Sequence, residues 1–530
     1  MKNLIIYFSL LHLVSSDLSP VIVKDGKFYN LDDNEVNFRG VNVVYKDSPW
    51  LPSTPTFDSN LSFVRDDIDL LKSLGNNLVR LGVMWSGVFP REGRVDESYL
   101  TKVDDMIKLL EDNDMYVIVE PHQDELNPLF CGEGAPDWWV NKYTEGVENF
   151  PVPVQATPFE ESLSGEPPSR ATCDTHSSFS YIWTNDGAKA YQRLWEDGAQ
   201  NGFGSYWSLV AQRYAAWPNV IGGEIFNEPF LGDVFGDPSL RDNKKADLVN
   251  LQPFYENITE IVRSATPQQS FALAFEPTWP VGNQDIDPDA ILTATSGFST
   301  LPEPNSSIYA FHYYSAPCTT DLDSYLVERL RDAKRLSAVP FASEFNLAAQ
   351  SEVESALMVD VFNSFENKQI SYAGWQYKSY SGSLPNGTCT GCGNSFFNED
   401  GSSNMFFQRS MARVFASVVG GETLRVNSTG LTRYEIEYIP TIGRNTTLLV
   451  PSLWAGGVGQ DNFMITIDGS RGGYNSRTTA LCTEGRVVQD GVEIHSSCEV
   501  FVEVYDGDDD DKVEGASVVL TIEPIWRSNE

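Results

Sequence analysis

The chain has 530 residues, of which 41% are hydrophobic and 12% aromatic, a composition typical of globular rather than disordered proteins. This length exceeds what one ordinary core requires and predicts more than one domain. The net charge of −37 argues against binding to nucleic acid, whose phosphates are contacted by Lys and Arg. It argues equally against simple electrostatic docking on anionic lipid.

Residues 1–16 have the pattern of a secretory signal peptide. Lys2 provides the positive charge, residues 4–14 the apolar stretch, and Ser15 and Ser16 a small-residue cleavage site before Asp17. The apolar stretch is too short to span a bilayer, and no later run of about 18 apolar residues follows it. We therefore expect an exported protein, either secreted or held in an acidic endomembrane or lysosomal compartment. Six Asn-X-Ser/Thr triplets agree with export and lie at Asn60, Asn257, Asn305, Asn386, Asn427 and Asn445.

Seven cysteines in an exported chain predict up to three disulfides and one remaining thiol. Cys131 and Cys173 flank a long insertion, and Cys482 and Cys498 lie close together near the C-terminus. Cys318 is a candidate partner for one cysteine of the Cys389-Thr-Gly-Cys392 motif. A zinc site is disfavoured because only one Cys-X-X-Cys motif is present and the histidines are scattered.

Strand-like apolar runs alternate with helical patterns over most of the chain. After a hairpin at 21–37, the predicted strands are 36–42, 77–83, 116–121, 220–227, 271–275, 308–313, 339–344 and 370–377. The predicted helices are 64–74, 99–110, 188–214, 246–264, 324–336, 353–363 and 405–418, and a long insertion covers about 122–185. Such alternation is typical of a parallel sheet, and eight repeats predict a (β/α)8 TIM barrel over residues 17–419.

The pattern changes beyond about residue 420. Short alternating runs at 432–438, 446–450, 463–467, 499–504 and 517–522 are separated by glycines and polar clusters. This pattern predicts a C-terminal all-β sandwich over residues 420–530.

Two of the predicted barrel strands end in glutamates. The run Val220–Phe226 is followed by Asn227-Glu228-Pro229, and residues 339–343 are followed by Glu344. Barrel enzymes place their catalytic groups at the carboxyl ends of the strands, so both carboxylates are expected at one face. Two carboxylates are the minimum set for cleaving a glycosidic bond.

Further polar and aromatic residues lie at or near predicted strand ends. The full set is Arg80, His122, Asn227, Glu228, His312, Tyr314, Glu344 and Trp375. In order and spacing, this set resembles the signature of glycoside hydrolase family 5. Within that family, the segments Gly40-Val-Asn-Val-Val-Tyr-Lys46 and His122-Gln-Asp124, the long insertion and the C-terminal sandwich resemble the endoglycoceramidases.

The resemblance implies a role for each of these residues. Glu344 is expected to be the nucleophile and Glu228 the general acid/base of a retaining hydrolysis. Asn227 is expected to hold the sugar 2-hydroxyl, His122 and His312 to line the sugar pocket, Arg80 and Tyr314 to favour the ionised nucleophile, and Trp375 to stack on the sugar. No metal or organic cofactor is implied, because two carboxylates and water suffice.

Three more residues are candidates for sugar binding, each with a structural alternative. Lys46 and Asp124 match sugar-binding positions of the endoglycoceramidases, and their alternative is a structural ion pair. Trp183 is a candidate second sugar platform, and its alternative is simple packing.

The expected reaction is cleavage of the bond between an intact oligosaccharide and ceramide in glycosphingolipids. An apolar groove is then expected beside Glu228, with Phe230, Leu231, Val234 and Phe235 as candidates. Exposed apolar groups there would also support transient contact with a membrane surface; their alternative is ordinary packing of a loop.

Other functions remain open on the sequence alone. Removal of a single glucose from glucosylceramide or a steryl glucoside requires a closed pocket, and a polysaccharide glucanase requires a long polar cleft. A non-catalytic sugar-binding barrel is disfavoured because Glu228 and Glu344 are both present. The pattern assigns no oligomeric state.

Overall fold

The computed structural model describes residues 18–143, 168–173, 181–266, 271–279, 295–314, 321–347, 349–378, 380, 396–398, 400–454, 463–468, 474–487, 493–506 and 516–524. The predicted signal peptide lies outside these residues.

Eight parallel strands close into a barrel, which confirms the predicted fold class. In chain order they are Arg39–Val43, Leu78–Gly82, Tyr116–Glu120, Val220–Glu224, Ala272–Phe275, Ser307–Tyr313, Val339–Phe345 and Ser371–Gly374; they are called the first to eighth barrel strands below. The sequences of these strands are mostly apolar because helices cover the barrel from outside while side chains fill its interior. Gly222 allows close packing of the fourth and fifth strands, since a Cβ there would lie 1.8 Å from the Ala272 carbonyl oxygen.

Amphipathic helices surround the barrel. The helix Glu97–Glu111 is typical, because Val103, Met106, Ile107 and Leu110 form its buried face. The α-helices are Arg65–Ser73, Trp85–Val88, Glu97–Glu111, Asp137–Tyr143, Arg170–Cys173, Asn185–Asp197, Phe203–Tyr214, Asn243–Ala246, Gln252–Ala265, Leu322–Leu336, Glu352–Asn367 and Met405–Met411. A π-helical segment spans Asp247–Leu251, and 3-10 turns span Pro128–Phe130, Tyr181–Trp183 and Pro238–Arg241.

Several predicted element boundaries are wrong. The single helix predicted at 188–214 is two helices, because the chain turns between Gly198 and Gly202, and Gly202 has a φ of 121° that disfavours any other residue. The helix predicted at 405–418 ends at Met411 and is followed by the strand Phe415–Val419. The fourth and eighth barrel strands end at Glu224 and Gly374, earlier than predicted.

Two antiparallel sheets pack against each other beyond the barrel. The seven-stranded sheet has the order Val21–Lys24, Lys27–Asn30, Glu35–Val36, Phe415–Val419, Asn445–Pro451, Ser497–Asp506 and Tyr474–Thr483. The four-stranded sheet has the order Gly421–Thr429, Arg433–Pro440, Val518–Pro524 and Phe463–Asp468, and a small ribbon pairs Arg486–Val487 with Glu493–Ile494. Side chains from both large sheets, including Leu448, Val500, Ile436 and Leu520, form one core.

The N-terminal hairpin belongs to the larger of these sheets. Val36 pairs with Val418, so this sheet combines strands from both ends of the chain and from both sides of residue 419. The division of domains at that residue stays a prediction.

Two of the predicted disulfides are present, Cys131–Cys173 and Cys482–Cys498. Cys318, Cys389 and Cys392 lie outside the described residues. Within the described part of the chain, no helix has the length and apolarity needed to cross a membrane.

Candidate active site

Arg80 is the centre of the polar cluster at the carboxyl ends of the barrel strands. It is fully buried and donates two hydrogen bonds to Glu224, at 3.0 and 2.8 Å. It donates three more, at 2.8 Å to Asn42, 2.7 Å to Glu344 and 2.8 Å to Asn227. One guanidinium group therefore fixes four side chains from the ends of three separate strands, which suits its rigid fork of donors.

Both carboxylate oxygens of Glu344 accept hydrogen bonds. Arg80 reaches Oε1, and the Tyr314 hydroxyl donates to Oε2 at 2.6 Å. The pairing of the sixth and seventh barrel strands shifts register between Ala342 and Glu344, just where this side chain enters the cluster. Glu344 is therefore held in one orientation as a hydrogen-bond acceptor.

Glu228 occupies a different environment from Glu344. Its Oε1 lies 2.8 Å from Nδ1 of His312, and its backbone N–H donates to Glu276 Oε2 at 2.7 Å. Burial raises the pKa of Glu228 to about 8, and the negative charge of Asp124 adds to the effect. A carboxyl group in this setting keeps its proton at neutral pH.

The two carboxyl groups lie close together. One oxygen of Glu228, one oxygen of Glu344 and a ring nitrogen of His312 all lie within 4.8 Å of one another. Retaining glycosidases separate their carboxyls by about 5–5.5 Å, whereas inverting ones need about 6.5–9.5 Å to admit a water molecule. This geometry suits attack by one carboxylate and proton transfer by the other.

His312 lies between three carboxyl groups but is neutral. Besides Glu228, its ring nitrogens lie 3.5 Å from Glu344 and 3.3 Å from Glu276. Burial lowers the pKa of His312 to about 3, although the nearby Glu344 opposes the shift. The imidazole therefore has one N–H that can donate a hydrogen bond and one lone pair that can accept one, each with a different neighbour.

His122 forms one wall of the site with Trp375. The two rings are stacked with centroids 4.8 Å apart, and His122 Nδ1 lies 3.1 Å from Glu120. Burial would lower the pKa of His122, but the charge of Glu120 overrides it and raises the value to about 10. This histidine is therefore a cation at neutral pH, unlike His312.

Lys46 and Asp124 form a buried ion pair beside this wall. The Lys46 ammonium also lies 3.5 Å from Glu133 and 4.6 Å from the centre of the Trp375 ring. Burial opposes the charge of Lys46, but Asp124 and Glu133 raise its pKa. His122, Asp124 and Glu133 bring donor atoms within 4.8 Å of one another, as a metal site would, but the Lys46 ammonium already supplies the cation there.

The structure therefore brings together ten of the predicted site residues, directly or through shared neighbours. They are Lys46, Arg80, His122, Asp124, Asn227, Glu228, His312, Tyr314, Glu344 and Trp375. Trp183 lies apart: it is 2% exposed and packs edge-on against Phe230 with ring centres 4.9 Å apart. That arrangement fits its packing alternative.

Three of the four residues that were expected to line an apolar groove after Glu228 do not line one. Phe230, Leu231 and Val234 are fully buried, and Phe235 is half-buried. The cause is the helix Asn185–Asp197, whose Trp195 indole N–H donates to the Phe230 carbonyl at 3.0 Å. The ordinary packing of this loop explains these apolar residues.

Four glutamates in the cluster were not predicted, namely Glu120, Glu133, Glu224 and Glu276, and all are buried. Two of them had usable signals in the sequence. Glu224 is a charge inside an otherwise apolar run, and Glu276 follows the apolar segment Phe271–Phe275 and precedes Pro277, as Glu228 precedes Pro229.

The family model for cellulase (glycosyl hydrolase family 5) matches residues 29–381, which include every residue of this cluster. The chain belongs to glycosyl hydrolase family 5. It is therefore a glycoside hydrolase.

Curated relatives and solved structures are named more narrowly. The chain is 29% identical to an endoglycoceramidase of Cyanea nozakii over 445 residues, which cover 82% of this chain and 84% of the relative. It is 31% identical to an endoglycoceramidase of Hydra vulgaris over 350 residues, covering 65% and 63%. The fold is similar to that of endo-glycoceramidase II from Rhodococcus sp. in an iminocyclitol complex, with a TM-score of 0.65 at 18% identity, covering 96% of this chain and all of that one.

Proposed function

We propose that this glycoside hydrolase is an endoglycoceramidase, which cleaves the β-glycosidic bond between the oligosaccharide and the ceramide of glycosphingolipids and releases both intact. The observation that carries the chemistry is the close pair of Glu228 and Glu344 in unlike environments. The substrate class is taken from the similarity to endoglycoceramidases over about four fifths of the chain.

In the first step, a Glu344 oxygen attacks the anomeric carbon and forms a glycosyl ester. The bond from that carbon to the ceramide oxygen breaks, and the proton of Glu228 passes to this oxygen, so that ceramide leaves as an alcohol. Glu344 is suited to attack because Arg80 and Tyr314 hold both of its oxygens. Glu228 is suited to donate because burial raises its pKa to about 8.

In the second step, water replaces the ceramide. Glu228, now ionised, removes a proton from the water, whose oxygen bonds to the anomeric carbon while the ester to Glu344 breaks. The glycan leaves with its original anomeric configuration, and Glu228 regains its proton. Two displacements at one carbon give retention.

The remaining residues bind the sugar in this proposal. Asn227 donates one amide hydrogen to the Gln123 carbonyl at 3.0 Å and has a second for the sugar 2-hydroxyl. His122, Lys46 and Asp124 bind further hydroxyls, and Trp375 stacks on the ring.

Mass spectrometry of the products tests the proposal. The purified protein is incubated with a ganglioside and, separately, with glucosylceramide, beside a Glu344→Gln variant. Intact oligosaccharide and ceramide from the ganglioside, absent with the variant, are expected. Glucose from glucosylceramide with the ganglioside uncleaved would contradict the proposal.

That contrary result would favour an exo-acting enzyme. Shorter matches to a glucosylceramidase of Aspergillus fumigatus, 29% identical over 143 residues, and to an ergosteryl-β-glucosidase of Saccharomyces cerevisiae, 30% identical over 141 residues, make this the second candidate.

We also propose that the chain is exported after cleavage of residues 1–16 and that it meets its lipid substrate at a membrane surface. Recovery from the culture medium of a glycosylated protein that begins at Asp17 is expected. Retention of Met1 in the mature protein would contradict export by this signal.

A further inference from the structure

A second glutamate lies behind the proposed acid/base. Glu276 directly follows the fifth barrel strand and is 1% exposed. Its Oε2 accepts the backbone N–H of Glu228 at 2.7 Å, and its Oε1 lies 3.3 Å from Nε2 of His312. The other nitrogen of that ring, Nδ1, lies 2.8 Å from Glu228 Oε1. Glu276 thus contacts Glu228 in two ways, through its backbone and through the His312 ring.

Among the described residues, the facing atoms of Glu276 and His312 have no other partner. Glu276 Oε1 and His312 Nε2 are both buried and make no other hydrogen bond within the described residues. Leaving a buried polar atom without a hydrogen-bond partner is destabilising. One proton on Glu276 Oε1 satisfies both atoms, because the hydroxyl donates to the lone pair of Nε2.

We propose that Glu276 is a positioning residue that, in its protonated form, donates from Oε1 to His312 Nε2 and thereby directs the Nδ1–H of His312 at Glu228 Oε1. The inference rests on the proposed assignment of Glu228 as acid/base. Because Oε1 of Glu228 then accepts a hydrogen bond, the catalytic proton is carried by Oε2. Without Glu276, the opposite tautomer of His312 would present a lone pair to Glu228 and compete with the leaving group for its proton.

The charges around Glu276 agree with a protonated carboxyl. Burial raises the pKa of Glu276 well above its ordinary value, and the charge of Glu224, joined by that of Glu228 once it ionises, raises it further, while Arg80 opposes them. His312 also faces Glu344 and stays neutral. When both groups are neutral, Glu276 donates to Nε2 of His312 and the Nδ1–H of His312 donates to Glu228. An ionised Glu276 would have no proton to donate to Nε2.

Two substitutions separate this role from simple packing. Glu276→Gln preserves the shape and both contacts, because its amide nitrogen donates to Nε2 and its oxygen accepts from Glu228. Glu276→Met preserves the size but removes both contacts. Glu303→Gln is the matched control, since this partly exposed glutamate pairs with Arg263 outside the cluster.

Two substrates that differ in how much their leaving group needs a proton from Glu228 test this role. A ganglioside releases a poorly acidic alcohol, whereas dinitrophenyl β-lactoside releases a phenolate that needs no proton. For Glu276→Met we expect kcat/KM to fall about 10²-fold on the ganglioside, within the range of general acid catalysis, but within about threefold of wild type on the dinitrophenyl substrate. Glu276→Gln should stay within about threefold of wild type on both. Equal losses on both substrates, or equal losses in both variants, would overturn the proposal.

The pH profile gives a second readout. An ionised Glu276 would raise the pKa of Glu228, and its replacement by Gln would then move the alkaline limb of kcat/KM to lower pH. A protonated Glu276 exerts no such charge, so we expect the limb of Glu276→Gln to coincide with that of wild type. A downward shift would overturn the proposal.

A third readout needs no substrate and therefore separates failure of this inference from failure of the proposed function. In protein labelled with 15N-histidine, NMR identifies which ring nitrogen of His312 is protonated, and a His312→Gln variant assigns the signal. We expect the Nδ1–H tautomer in wild type and in Glu276→Gln, and loss of that preference in Glu276→Met. An Nε2–H tautomer in wild type would overturn the proposal whether or not glycolipid is cleaved.

Discussion

Replacement of Arg80 by lysine should reduce both stability and catalysis. The guanidinium makes five hydrogen bonds to four buried partners, whereas a lysine nitrogen has at most three donors. At least two acceptor positions lose their donor, and each buried unpaired group costs about 1–3 kcal/mol. The free energy of unfolding should therefore fall by about 2–6 kcal/mol. Loss of the fixed position of Glu344 should lower kcat/KM about 10²-fold, equivalent to about 2.7 kcal/mol of activation free energy.

Arg39→Lys is the matched control. Arg39 is also buried, but it begins the first barrel strand at the end opposite the cluster, where it pairs with Glu366 at 3.0 Å and donates to the Arg413 carbonyl at 3.1 Å. This variant should lose stability and keep kcat/KM at temperatures where it is folded. Guanidinium chloride unfolding and ganglioside kinetics measure both effects. An Arg80→Lys protein with the stability and activity of wild type would refute this account of the cluster.

Three further results are expected. The kcat/KM should fall as the pH rises through about 8, the pKa of Glu228, because the acid must be protonated; a rise over that range would contradict its role. A Cys131→Ser/Cys173→Ser variant opens a loop with a sequence separation of 42 and should lose about 4 kcal/mol of stability, measured as a lower Tm. Lys46→Met removes the nearer of the two cations beside Asp124, the other being His122 at 3.8 Å, and should lose about 3–5 kcal/mol and raise KM; lower stability with unchanged KM would identify a purely structural ion pair.

The barrel was predictable because each of its strands is a buried apolar run separated from the next by an amphipathic helix or a loop. Prediction failed where a distant partner decides the structure. Phe415–Val419 carries apolar residues compatible with the end of a helix, but it forms a strand because Glu35–Val36 and Asn445–Pro451 flank it in the sheet. Neither partner is visible in the local pattern.

The site was predictable where a residue stands alone at a strand end. Glu228 and Glu344 are such residues, and both lie where their positions in the sequence indicated. Glu224 was missed because its role depends on a contact with Arg80. The strand of Arg80 is not adjacent to the strand of Glu224 in the barrel. Phe230 was expected in an exposed groove for a related reason. Only the folded position of helix Asn185–Asp197 shows that this helix packs over Phe230 and buries it.

The glutamates of this cluster are all buried but differ in their contact with a cation. Arg80 donates directly to Glu344, whereas at Glu224 burial still raises the pKa to about 7 although Arg80 opposes the shift. Where no cation is in direct contact, burial favours the protonated form, as at Glu228 and Glu276. Arg80 contacts Glu344 on one side of the cluster, and His312 contacts Glu228 on the other. The carboxylate that attacks and the carboxyl that donates a proton are therefore close together but in different surroundings. A retaining glycosidase needs this division, because one carboxyl must attack while the other still holds its proton.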